Sequence, residues 1–200
     1  MPYKISDVVR PGTFAERDQP ALPASGGLRL RPWDPEDAPA VYAAFQDPLL
    51  QRWHARVADS VDEARAWIET WREEWYEEKS AQWAVVDADS DAVLGRVALR
   101  MIALGDGQAE MAYWTAPGAR GRGVASRGVQ ALTSWALDEV GLHRLELTHS
   151  TENEASCRVA LRAGYAAEGT KRSALLHEDG WHDMHLHARI AAREPDPSGT

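Results

Sequence analysis

The run Arg120-Gly121-Arg122-Gly123-Val124-Ala125-Ser126 brings together the residue types that hold a phosphate. Glycines at 121 and 123 have no Cβ, so the backbone can bend there and let a ligand approach its N–H groups. Before the run, Glu110 to Thr115 has the aromatic, alternating character of a strand; after it, Val129, Leu132, Ala136 and Val140 repeat at helical spacing. The first N–H groups of that helix have no intrahelical partner. With the positive end of the helix dipole they form an anion site, to which Arg120, Arg122 and Arg127 add full charges. Two familiar phosphate motifs do not apply. A P-loop needs Lys-Ser/Thr after its last glycine, where Val124-Ala125 stands, and a dinucleotide fingerprint needs a third glycine and an acid about 20 residues on.

The elements that must position this turn follow from periodicity and punctuation. Residues 1–27 mix prolines, glycines and scattered charge without a sustained period, which predicts an irregular arm, packed on the domain or on a second subunit or else mobile. Leu28 to Arg31 alternates as a short strand. Asp34-Pro35 starts a helix that Asp47-Pro48 ends. Ser60-Val61-Asp62-Glu63 is a capping box opening a helix to about Glu78, whose apolar stripe includes Trp67, Trp71 and Trp75. Trp67 suits the core, whereas Trp71 and Trp75 are candidates for lining a pocket that attracts a cationic amine. Three strands are expected at Gln82 to Asp87, Ala92 to Leu104 and Gln108 to Thr115, then the glycine turn and a helix to about Val140. His143 to Ser150 is a strand parallel to the one before the turn, because a single helix connects them. A short helix over Asn153 to Ala163 and a hairpin of Tyr165 to His177 with Trp181 to Ile190 complete a domain spanning 28–190, and 191–200 reads as a disordered tail.

Composition restricts the class. The chain has 200 residues, 44% of them hydrophobic, enough for one well-buried core. Its net charge of -9 opposes non-specific binding to nucleic acid and favours amine-bearing partners. No run approaches the roughly 18 apolar residues of a membrane span, and the first residues hold no apolar signal core. With a single cysteine, Cys157, no internal disulfide can form, and a cytoplasmic location is expected.

Taken together, these features resemble the GNAT acetyltransferase superfamily, whose pyrophosphate signature Q/R-x-x-G-x-G/A is matched by Arg120, Gly123 and Ala125. The RimJ/RimL-type branch is the nearer likeness. It carries an acid before an aromatic pair (Glu110, Tyr113-Trp114), an N-x-x-S helix start with a downstream G-F/Y (Asn153, Ser156, Gly164-Tyr165) and a D-G-x-x-x-D hairpin (Asp179-Gly180, Asp183). The resemblance implies an α/β fold (α+β): a mixed, mostly antiparallel sheet of about seven strands flanked by helices, with two parallel strands splayed at the cofactor cleft. It implies acetyl-CoA as acyl donor, with Trp114, Thr115 and Ala116 at the pantetheine and Arg120, Gly121, Arg122, Gly123, Val124, Ala125 and Ser126 at the pyrophosphate. Asn153 would touch the cofactor arm as well as the catalytic centre.

Acetyl transfer to an amine needs a neutral amine, stabilisation of an oxyanion and a proton for the departing thiolate. Glu110 is the candidate base, directly or through water, and Ser156 the candidate acid, standing where the family uses a hydroxyl, often a tyrosine's. The branch points to a protein N-terminal α-amine as acceptor. The alternatives are an aminoglycoside- or polyamine-like cationic metabolite, or a regulatory module that binds acyl-CoA without turnover. Cys157 beside Ser156 reads as a buried structural thiol. His182, His185 and His187 gain no acid or cysteine at ligand spacing, so no metal is expected. Arg158 and Arg162, one turn apart, suit either the cofactor's phosphates or a solvated face. The arm and the hairpin after Tyr165 are candidate contact surfaces of a homodimer.

Overall fold

The computed structural model describes residues 6–54 and 56–192, so most of the expected C-terminal tail lies outside the described residues. Eight strands form one sheet in the order β1-β2-β3-β4-β5-β6-β8-β7. They are β1 Leu22–Ala24, β2 Leu28–Pro32, β3 Ala81–Asp87, β4 Val93–Ala103, β5 Gln108–Thr115, β6 Arg144–Ser150, β7 Ala166–His177 and β8 Gly180–Ile190. All neighbours are antiparallel except β5 and β6, which run parallel. The extra strand relative to the seven expected is β1. Three residues containing Pro23 are too short to show alternation, and an edge strand tolerates the proline.

The sheet separates two helical layers. On one face α4 (Val124–Ser134) and α5 (Glu154–Arg162) cover Leu30, Val85, Val97, Met111, Leu145 and Leu147. On the other, α1 (Ala38–Phe45), α2 (Pro48–His54) and α3 (Val61–Tyr76) pack around Trp33, Phe45, Trp67, Ile68, Trp71, Val86 and Trp114. The helix α2 corrects the expectation that Asp47-Pro48 only ends a helix. The Asp47 carboxylate accepts from Leu50 N–H at 3.0 Å and Pro48 takes the first helical position, so the same pair that stops α1 starts α2. Ser60 caps α3 by accepting from Glu63 N–H at 3.1 Å, and the Glu63 carboxylate accepts from Asp59 N–H at 2.7 Å instead of from Ser60, so the expected capping box is half formed. The α-helical part of α4 ends at Ser134 and continues as a π-turn over Trp135–Glu139, where Trp135 packs against Phe14 and Trp83.

The described part of the N-terminal arm packs on the domain. Phe14 is fully buried, and the Glu78 carboxylate accepts from Gly12 N–H and Phe14 N–H, each at 2.8 Å. What matters most for the site is the short pairing of β5 with β6, which covers only Gln108 to Glu110 against Arg144 to Glu146. Beyond Glu110 the two strands diverge, and β6 continues against β8 as far as Ser150. Among the described residues, the edge of β5 from Met111 to Thr115 is therefore left without a strand partner on that side.

Candidate active site

The opening between the diverging strands is a cleft of about 310 Å³. Tyr113, Trp114 and Thr115 of β5 form one wall, and Asn153, Ser156, Arg158 and Arg162 of α5 form another. The floor is the turn into α4, from Arg120 and Gly121 to Gly123 and Ser126. Gly121 and Gly123 have φ of 74° and 75°, the left-handed region where only glycine is unstrained. No side chain caps the N-terminus of α4, so its first N–H groups remain for a ligand. Arg120 reaches across to Asp47 at the start of α2, and this ion pair holds the Asp47 carboxyl below its ordinary range. Arg127 turns away from the cleft and donates to the carbonyls of Arg122 and Gly26.

The structure joins two hydroxyls that stand 43 positions apart. Tyr113 Oη donates to Ser156 Oγ at 2.8 Å, inside the cleft. Burial pushes the Tyr113 phenol up to about 12, partly offset by the Ser156 bond, so the pair stays protonated at neutral pH. Asn153 caps α5, its side chain accepting from Ser156 N–H at 3.0 Å, which fixes the serine's position. Of the residues expected at the site, Trp114, Thr115, Arg120, Gly121, Gly123, Val124, Ala125, Ser126, Asn153 and Ser156 border the cleft. Ala116 does not; its N–H bonds Leu94 at 2.9 Å. Arg122 lies outside the lining as well, and so does Glu110. Glu110 sits at the last paired position before the strands part, with its carboxylate 3.0 Å from Arg100.

The profile of the acetyltransferase (GNAT) domain family matches residues 27–166. The chain belongs to the GNAT acetyltransferase family. Over 168 residues it is 26% identical to the uncharacterized N-acetyltransferase YoaA of Bacillus subtilis, covering 84% of this chain and 95% of that one. Among solved structures, RimJ of Mycobacterium smegmatis in complex with CoA-disulfide superposes with a TM-score of 0.79 at 22% identity, over 86% of this chain and 88% of that one. The Salmonella typhimurium acetyl transferase that modifies the N-terminal serine of ribosomal protein L7/L12 gives 0.77 at 23%, over 86% and 100%. This GNAT protein is an acetyl-CoA-dependent acetyltransferase. Its residues suit that donor: the unpartnered β5 edge fits an extended amide arm, and the glycine turn with the uncapped α4 N-terminus fits a pyrophosphate.

The GNAT cleft is adjoined by a larger cavity, of about 470 Å³, and Trp71 lines it as its place in the α3 stripe suggested. Trp67 and Trp71 wall it, with Glu74, Arg56, Lys79, Arg96 and Arg100. Trp75, expected to face a pocket, is instead buried against Phe14 and Trp83, while Trp67 lies in the core as expected and also borders the cavity, with the Arg56 guanidinium 4.0 Å from its ring centre. A stripe repeating every four residues drifts around the helix, so its ends meet different neighbours. His54 borders both spaces. Burial, then Arg96 and Arg100, pushes its pKa down to about 3, so it is neutral. The α2 residues Leu49, Leu50, Trp53 and His54 escaped the sequence reading because that helix did; Asp47-Pro48 was the available signal.

The fold also assembles a group that spacing along the chain could not show. His149 on β6, His185 and His187 on β8 and Cys157 on α5 place one ligand atom each within 4.8 Å of one another. Cys157 is part-exposed rather than buried.

Proposed function

We propose that this acetyltransferase acts in the cytoplasm on the N-terminal α-amine of a protein, in a ternary complex with acetyl-CoA. The observation that carries the reading is the meeting of two spaces at His54: the cofactor cleft on one side and the aromatic-walled cavity on the other. An amine entering through the cavity comes to the open end of the splayed strands, where proximity provides a large part of the rate. The neighbour that modifies an N-terminal serine of a ribosomal protein supports a peptide acceptor.

The charges of the cavity argue against a polyamine or aminoglycoside. Its lining holds four cations, Arg56, Lys79, Arg96 and Arg100, of which Lys79 pairs with Glu77 and Arg100 with Glu110, against one carboxylate, Glu74, which is engaged by Ser80 and Gln82. A polycation would be repelled, whereas a chain terminus followed by acidic residues or backbone carbonyls would be attracted.

Acetyl-CoA supplies the activated acetyl group. Within the chain, the glycine turn and α4 hold the phosphates, and Ser156 gives a proton to the leaving sulfur. Tyr113, donating to Ser156 Oγ, turns the serine's own O–H toward the cleft. Glu110, where β5 and β6 begin to diverge and paired with Arg100, takes the amine's proton through solvent.

The test is thiol release from acetyl-CoA with peptides carrying acidic, neutral or basic residues after a free N-terminus, alongside spermidine and an aminoglycoside. Peptides should be acetylated on the α-amine, acidic ones fastest. Turnover confined to the polycations would overturn the acceptor assignment, and binding of acetyl-CoA without turnover on any amine would favour a regulatory module.

A further inference from the structure

We propose that His149, Cys157, His185 and His187 form a binding site for Zn²⁺ beside the cofactor cleft. The strand register builds it. His149 pairs with His185 and Leu147 with His187 between β6 and β8, and residues two apart on a strand share a face, so all three imidazoles lie on the face that carries Leu145 and Leu147. Helix α5 packs over that face and adds Cys157 from its N-terminal half.

The polar atoms of the group lack the partners that buried histidines ordinarily have. His187 is 1% exposed and, among the described residues, neither of its ring nitrogens has a partner at ordinary hydrogen-bond geometry, the Tyr165 backbone being the polar group beside it. His149 is 6% exposed and its Nε2 is likewise unpartnered. Its Nδ1 lies 2.8 Å from the Ser150 carbonyl, which can only accept, so Nδ1 carries the hydrogen and Nε2 presents a lone pair to the cluster. This is the arrangement that orients metal-ligating histidines, with the far nitrogen tied to a carbonyl. A bound cation accounts for His149 Nε2 and for one nitrogen of His187, since an imidazole meets one metal ion through a single ring nitrogen.

Three imidazoles and a thiolate are a donor set for Zn²⁺, which prefers tetrahedral nitrogen and sulfur ligands at about 2.0–2.3 Å. Such bonds put the ligand atoms roughly 3.3–3.8 Å apart. The four atoms, all within 4.8 Å, need only small side-chain rotations to close. Binding forms three Zn–N bonds and one Zn–S bond, and the Cys157 thiol proton passes to the buffer. A second group, Glu152, Asp179 and His182, has no such vacancy in its hydrogen bonding. Arg52 already lies 2.8 Å from Glu152 and 3.4 Å from Asp179, and His182 bonds both Asp179 and Ser150.

Cys157 follows Ser156 in α5, so an occupied site would fasten the helix segment that holds the serine against β6 and β8.

The experiment uses the full-length, tag-free protein stripped with a chelator and titrated with ZnCl₂ in two buffers of different ionisation heat, with Co²⁺ absorption as a second readout. A single saturable site should release one proton per metal, and Co²⁺ should give a thiolate charge-transfer band. Cys157→Ala should remove the band, and His185→Gln should weaken Zn²⁺ binding by about 100-fold or more, beyond the usual cost of an outer-shell change. Near-ultraviolet circular dichroism establishes that each variant is folded. Absence of saturable Zn²⁺ binding, or equal binding by folded Cys157→Ala and His185→Gln, would overturn the site. Neither readout involves acetyl transfer, so the result is independent of the acceptor.

Discussion

Replacing Tyr113 by Phe removes one hydroxyl from the cleft and leaves the ring that packs there. The lost group is the donor 2.8 Å from Ser156 Oγ, and burial keeps its pKa near about 12, so it donates throughout the neutral range. A hydrogen bond of this kind is worth about 0.5–1.5 kcal/mol net. If it acts by orienting the serine's proton toward the leaving sulfur, kcat should fall by about 2- to 13-fold with the KM for acetyl-CoA almost unchanged. Ser156→Ala removes the proton donor itself and should cost roughly 100-fold or more. The decisive assay is the double-mutant cycle in thiol release. With Ser156 already Ala, Tyr113→Phe should change kcat by less than about 0.5 kcal/mol, because the residue it served is gone. A full Tyr113 effect in the Ser156→Ala background would refute the relay. So would a Tyr113→Phe loss as large as that of Ser156→Ala, which would make the phenol itself the acid.

Three further outcomes are expected. Gly123→Glu forces a side chain into a backbone with φ of 75° and puts a negative charge at the mouth of α4, so acetyl-CoA binding by calorimetry should weaken by more than about 100-fold; unchanged affinity would remove the phosphate assignment. Glu110→Gln should lower kcat by about 100-fold or more while leaving acetyl-CoA affinity near normal, and an unchanged kcat would move the base elsewhere. His54 has a folded pKa of about 3 against about 6.5 unfolded, so the unfolded chain binds the extra proton. Its contribution to stability is complete above about pH 6.5 and is lost as pH falls toward 3. Between about pH 7.5 and 5 the loss is about 2 kcal/mol at most, since His54 borders two open spaces where solvent screens it. Urea midpoints for wild type and His54→Gln should converge at the acid end of that range; parallel curves would contradict the depressed pKa.

Much of the architecture was written in local sequence. The glycine turn at 121 and 123, the Ser60 cap, the strand–helix–strand order that makes β5 and β6 parallel, and the closing hairpin all depend on neighbours within a few residues. Chain chemistry of that range also implied the family and its donor. Features decided by long-range packing were not legible. The three-residue β1 needs β2 as a template, and α2 hides behind a proline that also reads as a stop. Trp71 lines a cavity as its place in the stripe suggests and Trp67 lies in the core, but Trp75 is buried instead of facing a pocket, because one helix face meets a cavity along part of its length and the core elsewhere.

The site divides in the same way. Sequence determined which residues make the glycine turn into α4 and that Ser156 opens a helix capped by Asn153, since both are short-range hydrogen-bonding patterns. Only the tertiary structure put Tyr113 on Ser156, placed Glu110 outside the cleft against Arg100, and joined a second cavity at His54. It also drew Cys157 to three histidines from two strands. These arrangements depend on strand register and on how far β5 and β6 separate, quantities fixed by the packing of whole layers and carried by no single stretch of the chain.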